Sequence, residues 1–395
     1  MKILLWISIA IIFYHFIGYG ILITLFNKFK KQKPQHLQLN DCDLPEITML
    51  IAAYNEEEII EEKIQNSLSL DYPSDKLCIA VVSDGSDDHT NQIVKKYSQV
   101  RLFYKPQREG KIAAVNRVMP HIGTPITVFT DANVMISKQG VRQMAEHFQS
   151  NLVAAVSGEK KVVSQTEDSA SASGEGFYWK YESYLKRKDA EWNTMVGSAG
   201  ELFAIRTHLF EPIDKNTLIE DFVMTMRLAA IGYKVAYEPR ALALETGSAS
   251  MEEEQKRKVR ISAGGIQAVI KLLALLNFFK YGKLSFQYVS HRALRWTLIP
   301  LALVATLITS LLLSDGSWIY ETLLRAQLIF YLLALFGYVV RDSKTSVKWL
   351  HIPYYFTFMH VCVVLGWIKY FSGNQKVTWD KAKRAKTETT ISSAF

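Results

Sequence analysis

At 395 residues, 49% hydrophobic and 21% charged, the chain is too long for a single small domain and too apolar for a disordered polypeptide. Its net charge of +8 gathers beside apolar stretches, at Lys28 to Lys33, Lys256 to Arg260 and Lys381 to Lys386. It is not interleaved with aromatic residues, which argues against nucleic acid and for membrane flanks facing anionic lipid. The three scattered cysteines, Cys42, Cys78 and Cys362, have no metal-ligand spacing and read as reduced thiols of a cytosolic compartment.

The first element, Ile3 to Phe26, contains no Lys, Arg, Asp or Glu and matches a bilayer core in length, so it reads as a membrane span. It is too long for a signal peptide, and no small-residue cleavage site precedes Lys28. From about Asn40 to Arg260 no long apolar run occurs, which is the composition of one water-soluble domain. Three further apolar stretches follow, Leu294 to Leu313, Thr322 to Val340 and Ile352 to Phe371. Lys28 to Lys33 assigns the soluble domain to the cytoplasm, and the loop Ser314 to Glu321, free of Lys and Arg, to the outside. Three late crossings would then put the basic tail, Lys376 to Lys386, outside against the same rule. Either one stretch does not cross or a further segment does. The division expected is an anchor over 1–27, a soluble domain over 40–262, interfacial helices over 263–291, a span cluster over 292–374 and a polar tail over 375–395. Within Gly264 to Gly282, Lys271 favours a helix lying on the membrane surface over a crossing, with a buried core helix as the alternative.

Inside the soluble domain, the runs Ile47 to Ala53, Cys78 to Ser83, Arg101 to Tyr104 and Ile126 to Phe129 read as strands. They alternate with helix-like Glu56 to Leu70, Asp88 to Tyr97 and Lys111 to Met119. This order predicts an α/β fold with a mostly parallel sheet and helices on both faces, with ligands beyond the strands' carboxyl ends. Helix-like Lys138 to Phe148, strand-like Ala154 to Val163, an aromatic helix Phe177 to Lys188, a helix from Glu220 to Ile231 stopped by Gly232, and strand-like Tyr233 to Glu238 complete it.

Polar residues follow each early strand. Asp131 and Asn133, two apart on an extended segment, would point the same way and offer oxygen donors to Mg²⁺ or Mn²⁺ shared with phosphate. An Asp that merely caps a turn is the plainer explanation. Against it stands a second acidic cluster, Asp84 to Asp88, with no Lys or Arg inside either cluster to neutralise it. Asp221, in the first turn of its helix, would have its carboxylate favoured by the helix dipole and its pKa kept low, which is also what an ordinary cap would show.

The succession Ala53-Tyr54-Asn55-Glu56, Ser83 to Thr90, Arg108-Glu109-Gly110-Lys111 with Asn116, Phe129 to Asn133, Gly197 to Ala204 and Glu220-Asp221 resembles the inverting family 2 glycosyltransferases, of the Rossmann-like GT-A fold. With its anchor and carboxyl-terminal helices, the chain is similar to members related to cellulose and hyaluronan synthases. The resemblance implies a nucleotide-sugar donor, UDP-linked, and a lipid-linked or growing saccharide acceptor in surface polysaccharide synthesis at a bacterial inner membrane; it names no protein partner. It further implies donor contacts at Tyr54, Glu56, Asp84, Lys111, Asp131 and Arg260, and a divalent ion at Asp131 and Asn133. Glu220 and Asp221 would be the catalytic pair, with Asp221 the general base, and Tyr178, Trp179, Gly200 and Glu201 would border the sugars. Two departures stand out. Asn133 replaces the usual second Asp of the metal motif. Arg257 and Ile261 replace the Gln and Trp of the Gln-x-x-Arg-Trp motif of polymerising members, which favours single transfer over processive synthesis. A catalytically inactive nucleotide-sugar-binding scaffold is the remaining alternative.

Overall fold

In β1 (Ile47–Ala53), Ile47, Met49 and Ile51 on one face and Thr48 and Leu50 on the other are all buried. A strand without a solvent face belongs in the middle of a sheet, and each such aliphatic side chain adds roughly 1.5–3 kcal/mol by leaving water. The computed structural model of the protein describes residues 1–30, 38–163, 170–248, 250–340 and 348–373. After β1 come β2 (Leu77–Asp84), β3 (Val100–Lys105), β4 (Ile126–Asp131), β5 (Met135–Ile136), β6 (Val153–Val163), β7 (Leu202–Arg206) and β8 (Lys234–Thr246), in the sheet order β3-β2-β1-β4-β7-β6-β8-β5.

Strands β3, β2, β1 and β4 run parallel, as do β6 and β8. Antiparallel β7 joins these halves, and β5 pairs antiparallel with the edge of β8. The helices Ile60–Leu68, Thr90–Lys95 and Lys111–Val118 connect the first four strands. The helix expected from Glu56 starts only at Ile60, and the reason is local. The amides of Asn55, Glu56 and Glu57 donate instead to Ser86 Oγ (3.1 Å), Thr90 Oγ1 (2.8 Å) and Asp88 Oδ2 (3.1 Å), so the loop after β1 is stitched to the loop after β2.

The chain divides into two compact units. Of the described residues, this sheet unit comprises those within 38–163 and 189–250; the other is helical and comprises those within 1–30, 170–188 and 251–373. In the helical unit, among the described residues, four helices are long and apolar enough to cross a membrane: Lys2–Lys28, Leu298–Gly316, Trp318–Val339 and His351–Phe371. Large apolar side chains on them, among them Ile3, Leu312, Leu335 and Ile368, are exposed, as lipid-facing surface requires. The chain is a membrane protein. Residues 251–271 form one helix whose side chains at 262–266 are buried. It packs on His351–Phe371, where a Cβ on Gly366 would come within 2.7 Å of Ser262 Cβ. Leu273, Leu276, Phe278 and Phe279, which follow it, are exposed. The basic run at 381–386 and residues 31–33 lie outside the described residues.

Candidate active site

The four parallel strands β1 to β4 deliver their carboxyl ends to one edge of the sheet, where loops after parallel strands gather ligands. The side chains there are linked through backbone and charge. Asp84, last residue of β2, is buried. Its two oxygens accept the amides of Glu109 (2.9 Å) and Gly110 (2.7 Å). Expected at the nucleoside, Asp84 therefore also holds the loop that starts the helix of Lys111. Tyr54, after β1, has the Arg108 guanidinium 3.7 Å over its ring centroid.

Lys111, first residue of its helix, reaches Asp131 Oδ1 at 2.8 Å and Glu220 Oε1 at 3.3 Å. Burial disfavours the ammonium, but the Asp131 and Glu220 carboxylates outweigh it and raise its pKa. Asp131, which has no cation beside it in sequence, thus draws one from the start of the helix after β3. A second comes from beneath: Lys63, fully buried on the Ile60–Leu68 helix, donates to Thr130 Oγ1 (3.1 Å) and the Val134 carbonyl (2.5 Å). Burial lowers its pKa to about 7, against the pull of the Asp131 carboxylate.

Asp221 follows Glu220 in the first turn of the Glu220–Ala230 helix. The expectation of a low pKa from the helix dipole is overturned: burial first, then the charges of Glu220 and Glu201, push it up to about 7 despite Lys111 and the Phe222 amide. Desolvation exceeds a dipole effect of about 0.3–1 kcal/mol. The Gly-rich loop before β7 crosses this helix start. Gly197 has φ +93°, and a Cβ there would lie 2.5 Å from the Phe222 ring; a Cβ on Gly200 would lie 3.3 Å from the Asp221 carboxyl. Glu201, expected beside the acceptor, accepts a hydrogen bond from Lys160 Nζ at 2.7 Å.

Asn133 does not extend β4. Residues 132 and 133 form a turn closed by the Val134 amide on the Asp131 carbonyl (3.3 Å), so the pair is set on a turn and not by strand alternation. Asn133 Nδ2 donates to Glu245 Oε1 at 3.3 Å. Among the described residues no group of three or more His, Cys, Asp and Glu side chains is arranged to hold an ion. One carboxylate with a neighbouring amide still fits a hard divalent cation that completes its shell with phosphate oxygens and water. The ammonium of Lys111 shows that positive charge is taken up at Asp131.

Tyr178, Trp179 and Arg260 belong to the helical unit. There Tyr178 accepts a hydrogen bond from Arg295 (2.9 Å), and the Lys258 and Lys186 ammonium groups lie 5.3 and 5.5 Å from the Trp179 ring centroid. Arg260 lies on the Met251–Lys271 helix. Lys63, Lys160 and Glu245 escaped sequence reasoning, and Arg108 stood in a quoted motif without a role. The signal available for Glu245 was its period-two match to Ala241 and Ala243, both buried on β8.

A class of protein is thereby defined: a GT-A-like α/β domain in one chain with membrane-length helices. Residues 48–213 match the model described as Glycosyl transferase family 2. The chain is 27% identical to a probable glycosyltransferase YdaM of Bacillus subtilis, over 61% of this chain and 60% of that one. It is 25% identical to a poly-beta-1,6-N-acetyl-D-glucosamine synthase of Staphylococcus epidermidis, over 62% of this chain and 60% of that one. The match thus spans about 60% of the length of these curated relatives. Among solved structures, the mannosyltransferase PcManGT from Pyrobaculum calidifontis, in complex with GDP-Man and Mn2+, aligns with a TM-score of 0.68 at 21% identity, covering 94% of this chain and all of that one.

Proposed function

We propose that the protein is a metal-dependent inverting glycosyltransferase that moves a sugar from a nucleoside diphosphate, UDP in the first instance, to a lipid-linked or saccharide acceptor at a membrane. One observation carries the reading: Lys111 joins Asp131 to Glu220, beside Asp221, whose pKa burial pushes up to about 7, toward proton removal near neutrality. Asp221 takes the proton of the acceptor hydroxyl as its oxygen attacks the anomeric carbon. The nucleoside diphosphate leaves from the opposite face, which inverts that centre. Lys111 stabilises the negative charge growing on the leaving diphosphate. Tyr54 and Arg108, stacked on each other, offer planar surface to the base, bordered by Glu56 and Asp84. Mg²⁺ or Mn²⁺ held by Asp131 and Asn133 would supply Lewis-acid charge to the diphosphate when bound. The GDP-Man and Mn2+ held by PcManGT, which shares the fold, support the donor class and the metal.

In this reading the sheet unit faces the cytoplasm of a cell whose inner membrane holds the four apolar helices, and the exposed 273–279 segment rests on the membrane surface. Polymer synthesis is the second reading, favoured by the staphylococcal relative's name and opposed by Arg257 and Ile261. Product length on a gel separates the two. The test of the activity itself is incubation of purified protein with a panel of labelled nucleotide sugars, with and without EDTA. Metal-dependent consumption of one donor is expected. Failure to consume any, or turnover undiminished by EDTA, would contradict the proposal.

A further inference from the structure

We infer that Lys160 and Glu245 are positioning residues that fix which end of the Asn133 amide faces a cation at Asp131, presenting its carbonyl oxygen and turning its NH2 group away. This rests on the metal reading above. Strands β6 and β8 pair in parallel with Val162 opposite Glu245, so Lys160, two residues before Val162, shares the face of that pair. Its side chain is 2% exposed, and its ammonium bonds Glu245 Oε2 and Glu201 Oε1.

An ammonium shared by two carboxylates pairs with both in their ionised form, and an ionised carboxylate accepts hydrogen bonds but donates none. Facing Glu245 Oε1 at 3.3 Å, Asn133 must therefore offer its NH2 group there. The chemistry of the partner, rather than the shape of the amide, settles the orientation. The same lysine ties down Glu201, next to the Gly200 that packs on Asp221. One buried cation thus braces the presumed ion ligand and the loop beside the base. It also accounts for an amide where a second carboxylate would stand 3.3 Å from Glu245: Asn avoids the repulsion that Asp would meet.

The experiment is titration of free Mn²⁺ into detergent-purified full-length protein, read by electron paramagnetic resonance, so turnover is not involved. Lys160→Met with Glu245→Gln, which removes both charges together, should weaken Mn²⁺ binding about tenfold, as loss of an orienting partner does. Glu245→Gln alone, which leaves Lys160 on Glu201, should show a similar loss and serves if the pair variant fails to fold. In an Asn133→Asp background the same changes should cost less than twofold, because a carboxylate presents oxygen either way round. Unchanged affinity in the Asn133 background, or an equal loss in both backgrounds, overturns the inference. Mn²⁺ binding undiminished by Asp131→Asn overturns the metal reading itself, which is a distinct result.

Discussion

Asp221 and Lys111 work against each other in a way that pH exposes. A general base acts only when deprotonated, so kcat/KM should fall below pH about 7 along a single-proton limb set by Asp221. Lys111→Met removes a charge that lowers the Asp221 pKa. The limb should then move to higher pH and the plateau fall about 100-fold; a pH–rate profile checks both. For stability the sign is opposite to that of an ordinary ion-paired carboxylate. The folded pKa of Asp221 is raised, so its contribution favours folding at low pH and is lost as pH rises from about 4, the unfolded value, through about 7. Asp221→Asn should therefore stabilise the protein at pH 8, by about 1 kcal/mol, in thermal melts.

At the scale of elements, the loop 197–201 is tailored to the helix it crosses. Gly197→Ala combines a left-handed backbone with a Cβ in the Phe222 ring and should destabilise by about 1–3 kcal/mol. Gly200→Ala presses on the Asp221 carboxyl and should lower kcat about tenfold while shifting the melt little; purified variants compared by melting and turnover distinguish them. The central strands of the parallel half can be read from sequence because strands buried on both faces are mostly apolar: the run Ile47 to Ala53 is β1, as found, whereas β3 at the edge is partly exposed. β7 cannot be read this way, since five residues after a glycine loop carry no period of their own, and its place between β4 and β6 depends on pairing across the chain. The same limit applies to the site. Asp131, Lys111 and Glu220 stood out because each follows a strand or opens a helix, whereas Lys160 and Glu245 meet only because β6 lies beside β8. Lys63 reads as a solvent-facing lysine of an amphipathic helix, and nothing local announces that it lies under Asp131.

For the whole molecule, membrane helices and a family 2 domain imply a defined sidedness. Cys42 is exposed on the sheet unit. In a Cys78→Ser background, a membrane-impermeant maleimide should leave Cys42 unlabelled in intact cells and label it after lysis. Ser317→Cys, in the loop between Leu298–Gly316 and Trp318–Val339, should already be labelled in intact cells. Labelling of Cys42 in intact cells would put the sheet unit on the wrong side for a nucleotide-sugar donor. The central claim is that a carboxyl next to the Lys111 ion-pair cluster activates the incoming alcohol. Its most direct measurement is sugar transfer by Asp221→Asn with Mn²⁺ and the donor that wild type consumes, alongside titration of the nucleoside diphosphate. Transfer should be abolished while nucleotide affinity stays within about twofold of wild type. Transfer at the wild-type rate in that variant would contradict it.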